Sequence, residues 1–203
     1  SLSVLLQLSL IMFYVNLKYL KRKVFTVDKI SVIVPCFNEE DVLPLFYQEV
    51  TKVLESIENT TYELLFINDG SSDHTEDLIK LMAHKNKQCF YYSFSRNFGK
   101  EAAMYAGLEN ATGDYVVIMD ADLQHPPYLL KEMYHSLKEE NYDCCAGKRI
   151  DRTGEGKLRN FLSHSFYKVI QTLTKMDMDD GAGDFRMMTR QMVDAILELK
   201  EYN

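Results

Sequence analysis

The sequence predicts an α/β domain: a doubly wound, mainly parallel sheet with helices on both faces. Two observations carry that prediction. From Ile30 onward, short apolar runs rich in β-formers alternate with stretches of helical periodicity, the pattern of parallel strands joined by helical crossovers. The chain is also 203 residues long and 46% hydrophobic. That is the size of one domain, and a chain of that size buries roughly 70% of the surface its unfolded form exposes.

The elements follow in order. Strands are predicted at residues 30–35, 62–68, 89–94, 115–119 and 142–146. Between the first two, Leu43, Phe46, Val50, Val53, Leu54 and Ile57 recur at three- and four-residue spacing and make one apolar helix face. After the second strand, Ser72, Asp73 and Thr75 offer N-cap oxygens to a helix carrying Leu78, Ile79 and Met82. Pro126 and Pro127 start a further helix, because proline suits a first helical turn. His84 and His135 fall on solvated helix faces.

Residues 1–27 stand apart as a hydrophobic N-terminal helix, a membrane anchor or a helix packed on the domain. Positions 2–15 are almost wholly apolar, broken by Gln7 and two serines, and Lys18, Lys21, Arg22 and Lys23 follow. The run is short against the about 20 apolar residues of a bilayer span. Its basic flank would nevertheless put residues 28–203 on the cytoplasmic face. A cleaved signal peptide fits poorly, because the charges follow the apolar run.

Charge and cysteine content exclude some classes. With 23 Lys and Arg against 30 Asp and Glu, the net charge is -7, so no nucleic-acid partner is expected. Four cysteines, at 36, 89, 144 and 145, have neither metal-ligand spacing nor the density of a disulfide scaffold and read as buried thiols.

Ligands of open α/β sheets bind beyond the carboxyl ends of the strands, and there this sequence is acidic. The first strand runs into Pro35-Cys36-Phe37-Asn38-Glu39-Glu40, the second into Asn68-Asp69-Gly70-Ser71-Ser72-Asp73, and the fourth into Asp120-Ala121-Asp122-Leu123-Gln124-His125. One pole thus gathers Glu39, Asp69, Asp120 and Asp122. Crowded carboxylates call for a cation, although Asp69 or Asp73 alone reads equally as a helix cap. Asp120-Ala121-Asp122, with Gln124 two residues on, suits Mg²⁺ or Mn²⁺ shared with a nucleotide diphosphate. A turn or cap remains the alternative for that triplet. No GxxxxGK[ST], no GxGxxG after the first strand, no GxSxG and no HExxH occur, which sets aside P-loop, dinucleotide, serine-hydrolase and zincin chemistry.

The strings SVIVPCFNEE (31–40), FINDGSSDHT (66–75), SFSRNFGKEAAMYAGLENATGDYVVIMDADLQHPP (93–127) and GAGDFRMM (181–188) resemble family 2 glycosyltransferases. Within that family they are most similar to the polyprenyl-phosphate hexose transferases, the bactoprenol glucosyltransferase and dolichol-phosphate mannose synthase group. The resemblance implies a GT-A fold, a nucleotide-sugar donor with UDP-glucose preferred, a divalent metal, and inverting transfer to a polyprenyl phosphate at the cytoplasmic face of the cell membrane. It leaves a homo-oligomer open and implies membrane segments beyond Asn203.

By position, the resemblance has Pro35, Phe37, Glu39, Asp69, Lys100, Asp120 and Ala121 binding the nucleotide sugar. Asp69 would accept hydrogen bonds from the base, and Asp120 would face ribose and sugar. Asp122 and Gln124 would hold the metal. Lys148, Arg149, Arg152, Lys157 and Arg159 fall within twelve positions and are interleaved with Gly154 and Gly156. By resemblance this is an acceptor-phosphate loop using Arg149, Arg159 and Ser163; on composition alone it is a solvated loop. Asp184 and Arg186 would lie beside the sugar or acceptor phosphate, or pair with each other. Asp120, Asp122, Arg149 and Arg159 are the candidate catalytic residues. Two other readings stand beside this one: a processive polysaccharide synthase, disfavoured by Gly181-Ala182-Gly183-Asp184 and the absence of Trp, and a non-catalytic nucleotide-sugar-binding scaffold.

Overall fold

The computed structural model describes residues 27–140, 142–148 and 182–198. Among the described residues there are six strands and five helices; the strands are β1 (Asp28–Cys36), β2 (Thr60–Asn68), β3 (Cys89–Ser93), β4 (Tyr115–Ile118), β5 (Cys144–Lys148) and β6 (Ala182–Thr189). The helices are α1 (Leu43–Glu55), α2 (Thr75–Lys85), α3 (Lys100–Asn110), α4 (Leu129–Glu140) and α5 (Arg190–Glu198). The sheet order is β3-β2-β1-β4-β6-β5. β1 pairs in parallel with β2 and β4, and β2 with β3, while β6 runs antiparallel between β4 and β5.

The predicted doubly wound, mainly parallel sheet is what forms, and helices cover both faces. Val32, Val34, Leu64, Phe66 and Val117 point to one side and pack under α1, α2 and α4 through Phe46, Val50, Ile79, Met133 and Leu137. Ile33, Leu65, Ile67, Val116 and Ile118 point to the other and meet α3 and α5 through Ala103, Met104, Leu108 and Val193. The alternation follows from the two-residue side-chain period of a strand. Each large side chain buried this way contributes about 1.5–3 kcal/mol. α3 lies so close to β1 that a Cβ on Gly107 would sit 2.2 Å from Ile33 Cγ2.

Three sequence expectations need correction. The fifth strand is shifted two residues, to Cys144–Lys148, and Tyr142 is exposed. β6 was not foreseen. Residues Phe185 to Met188 are all buried, as befits a strand with neighbours on both edges and cover on both faces, but Arg186 interrupts the apolar run by which such strands are recognised. α5 was also missed, although Met192, Val193, Ile196 and Leu197 recur at helical spacing and pack on the second core. Pro126 and Pro127 do open a turn, accepting hydrogen bonds from the Leu129 and Leu130 amides at 3.1 and 3.0 Å, so α4 itself begins at Leu129.

At the pole away from the strand ends, Glu63 is 4% exposed. It accepts hydrogen bonds from Ser31 Oγ at 2.6 Å and from the Thr112 amide at 2.7 Å, and it pairs with Lys29. Burial pushes its carboxyl up, but the hydrogen bonds from Lys29, Ser31 and Thr112 and the lysine charge together outweigh burial and hold it below the usual range.

Candidate active site

Because β1, β2, β3 and β4 run in one direction, the loops that follow them emerge at one pole. The first two loops are laced together. Asn38 takes a left-handed backbone, φ 56°, which asparagine tolerates. Its amide donates to Ser71 Oγ at 3.0 Å, and its Oδ1 accepts from the Ser72 amide at 2.9 Å. The Glu39 amide donates to the hydroxyl of buried Thr75 at 2.8 Å, and the His74 amide donates to Glu40 Oε2 at 2.8 Å. Asp73 accepts from the amides of Thr75 and Glu40. It therefore works as a local cap and a brace, while the N-cap position itself belongs to His74.

The second and third loops are joined by Asp69. It is 3% exposed, and its two oxygens accept from the amides of Phe98 at 2.7 Å and Gly99 at 2.9 Å. Asp69 does not cap the helix that follows it in sequence; it fixes the loop that starts α3. Gly70 permits this approach: its φ is 67°, and a Cβ there would lie 2.4 Å from the backbone carbon of Arg96. Lys100, the first residue of α3, reaches across to Asp120 Oδ2 at 2.8 Å. In the fourth loop Asp122 Oδ1 accepts from the Gln124 amide at 3.0 Å, and His125 stacks on Phe185 of β6 at 4.8 Å between ring centroids.

Together these loops enclose a cleft of about 240 Å³ whose walls include Pro35, Phe37, Glu39, Asp69, Lys100, Asp120 and Asp122. Residues taken from four separate loops of the sequence thus converge on one space. Phe37 is 45% exposed, so it offers an aromatic surface at the wall instead of filling the core. Cys36, Asn97, Gly99 and Ala103 also line the cleft and were not foreseen as site residues. For Asn97 and Gly99 the signal was their adjacency to Lys100. Ala121 is buried behind the wall, and Gln124 is exposed and outside the lining.

Arg186 is fully buried in the sheet, in register with Ile118 and Ala146, and is not part of the lining. Asp184 lies on β6. Arg149, Arg159 and Ser163 fall outside the described residues, as do Arg152, Lys157 and the N-terminal apolar segment.

The cleft carries an excess of negative charge. The Glu39 carboxyl is raised by burial first, then by the charges of Asp122, Asp120 and Asp73, with Lys100 opposing them. Burial, followed by Glu39, Asp120 and Asp73, pushes the Cys36 thiol far up, in keeping with a thiol that is 1% exposed. The donors are oxygen atoms, which fits a hard divalent cation. Among the described residues no three His, Cys, Asp or Glu side chains form a closed metal cage. One or two carboxylates completed by ligand phosphates is how Mg²⁺ is commonly held, and Asp122 fits that arrangement.

Comparison with known proteins identifies the family and the fold. The sequence profile described as Glycosyl transferase family 2 matches residues 31–197. CsbB of Bacillus subtilis (strain 168) is 46% identical over 174 residues, covering 86% of this chain and 52% of that protein. The bactoprenol glucosyl transferase of Shigella phage SfX is 39% identical over 175 residues, covering 86% of this chain and 57% of its own length. The chain therefore spans about half the length of the curated relatives it matches. Among solved structures, the mannosyltransferase PcManGT from Pyrobaculum calidifontis, in complex with GDP-Man and Mn²⁺, superposes with a TM-score of 0.58 at 18% identity, over 92% of this chain and 53% of that one. That likeness shows the fold, which is GT-A.

Proposed function

We propose, from the premise that this chain belongs to glycosyltransferase family 2, that it is the catalytic part of a polyprenyl-phosphate hexosyltransferase. In this reading it moves glucose from UDP-glucose to a polyprenyl phosphate at the cytoplasmic face of the cell membrane, with inversion at the anomeric carbon and with Mg²⁺ or Mn²⁺ bound, for cell-envelope glycan or glycolipid synthesis. The observation that carries the reading is the cleft. Glu39, Asp69, Asp120, Asp122 and Lys100 meet there, in a chain 39% identical to a bactoprenol glucosyl transferase.

Each residue has a task in that reaction. Phe37 and Pro35 give the nucleoside an apolar wall. Asp69, oriented by two amides, retains acceptor lone pairs for the base. Asp120 accepts from ribose and sugar hydroxyls once Lys100 turns from it to the incoming diphosphate. Asp122 would hold the metal from the cleft wall, with Gln124, exposed beside the lining, as a second oxygen donor. A divalent cation held there would supply positive charge to the diphosphate leaving group.

Arg149, Arg159 and Ser163 hold the acceptor phosphate, with Asp184 toward the sugar, whereas Arg186, fully buried between β4 and β5, is left with a structural part. An oxygen of that phosphate forms the new bond to the anomeric carbon from the face opposite the nucleotide. The bond to the diphosphate breaks, and its electron pair leaves with UDP. The attacking oxygen is already anionic near neutral pH, so no carboxylate has to act as a strong base.

The test is a donor screen on undecaprenyl phosphate with the full-length protein in membranes, offering labelled UDP-glucose, UDP-N-acetylglucosamine and GDP-mannose with and without chelator. Labelled lipid from UDP-glucose, lost on chelation and abolished in Asp122→Ala, is the expected result. Labelled lipid in no condition, or undiminished and still metal-dependent turnover in Asp122→Ala, overturns the reading.

A further inference from the structure

Leu123 stands between Asp122 and Gln124, and its backbone is left-handed, φ 54°. That conformation brings the Cβ of an L residue against its following carbonyl, and glycine or asparagine adopts it far more readily. Among the described residues, the other two non-glycine residues with positive φ are asparagines, Asn38 and Asn59. Among the described residues, Leu123 is thus the one branched aliphatic side chain whose own chemistry opposes its backbone.

Two further observations say what holds it there and what it accomplishes. The Leu123 side chain is half-buried and packs against the core cluster that contains Met119, Ala121 and Leu130, so apolar burial offsets the backbone cost. The left-handed residue reverses the chain directly after Asp122. The Gln124 amide then points back and donates to Asp122 Oδ1 at 3.0 Å, which fixes the rotation of a carboxylate on the cleft wall. Strain of this kind persists where the surroundings over-determine it, and it collects at working sites.

We propose that Leu123 is a positioning residue: its core-anchored side chain holds the left-handed turn that sets the Asp122 carboxylate for metal and diphosphate. The inference rests on reading the cleft as a donor and metal site. Ala and Gly at 123 remove the same anchor, yet Ala keeps the Cβ that opposes the turn and Gly does not. A role limited to packing predicts that they behave alike, or that Gly is worse for its added chain entropy. A role through the turn predicts the opposite order in metal binding.

The experiment measures Mn²⁺ binding by electron paramagnetic resonance on the full-length protein, with UDP and with GDP, for wild type and for Leu123→Ala, Leu123→Gly and Leu123→Asn. Thermal unfolding of each variant identifies the folded samples. Leu123→Ala is expected to bind Mn²⁺ roughly tenfold more weakly than wild type, and Leu123→Gly and Leu123→Asn to recover most of that loss. Equal binding by the Ala and Gly variants, at wild-type strength or below it, overturns the inference while leaving the donor-site reading intact. A folded wild type that binds no Mn²⁺ with either nucleotide overturns both. Should Leu123→Ala fail to fold, the Gly variant decides: binding near wild type supports the turn, and binding tenfold weaker overturns it.

Discussion

Lys100 and Asp120 meet at 2.8 Å, tying the first residue of α3 to the loop beyond β4 across the cleft. Neither belongs to the other's structural neighbourhood in sequence, and the lysine opposes the carboxylate charges that raise Glu39. Replacing Lys100 by Met leaves that charge less compensated and removes the lysine of the cleft wall that the proposed function turns toward the donor diphosphate. The donor KM should rise about tenfold. Both side chains are partly exposed, 39% and 28%, so stability should change by less than about 1 kcal/mol. Steady-state kinetics alongside a melting curve separate the two effects; unchanged donor kinetics would reduce the pair to a structural contact.

Asp69 is predicted to act on the loop as well as on a ligand. Asp69→Asn keeps the size but turns an NH₂ toward one of two amide donors, leaving that part-buried donor unpaired. A loss of about 1–3 kcal/mol follows, with faster hydrogen exchange at the Phe98 and Gly99 amides than elsewhere. Exchange that stays slow at those two amides in the variant would contradict the brace.

Glu63 makes a pH prediction at the opposite pole. Its folded carboxyl sits below the ordinary value of 4.5, so its stabilising effect is fully present above that value and is lost as pH falls through the lower folded one. Glu63→Gln should cost about 1–2 kcal/mol near neutrality, because Lys29, itself a third exposed, loses its charged partner. In denaturant titrations the gap between wild type and variant should narrow below pH 4.5. A gap independent of pH would mean that shape, not charge, is what Glu63 provides.

Gly107→Ala sets two effects against each other. Alanine is favoured over glycine in a helix interior by about 1 kcal/mol, but the new Cβ would lie 2.2 Å from Ile33 Cγ2. Forcing α3 off β1 costs about 1–3 kcal/mol, so the variant should melt lower than wild type. A higher melting temperature would show that the helix can slide without cost.

The parallel part of the sheet was legible because buried strands leave apolar runs and helical crossovers leave three- and four-residue spacing. β6 was hidden by Arg186, since an arginine is ordinarily read as exposed and this one is fully buried. The acidic ends of the strands marked the site, and Glu39, Asp69, Lys100, Asp120 and Asp122 do share one cleft. Asp69 was harder to read. A carboxylate after a strand looks the same in sequence whether it caps the next helix or braces a distant loop, and here it braces residues 29 and 30 positions on.

The sequence by itself determined the class of the fold and the pole at which the polar chemistry collects, because strand period, helix period and loop composition are all local, while the family came from the resemblance of its motif strings. Tertiary structure alone decided that Lys100 pairs with Asp120, that Asp69 holds the α3 loop, that an arginine-bearing strand enters antiparallel between β4 and β5, and that Leu123 turns left-handed against its own preference. Each depends on which distant groups the packed sheet brings within hydrogen-bond or van der Waals reach, and that information arises only when the chain closes on itself.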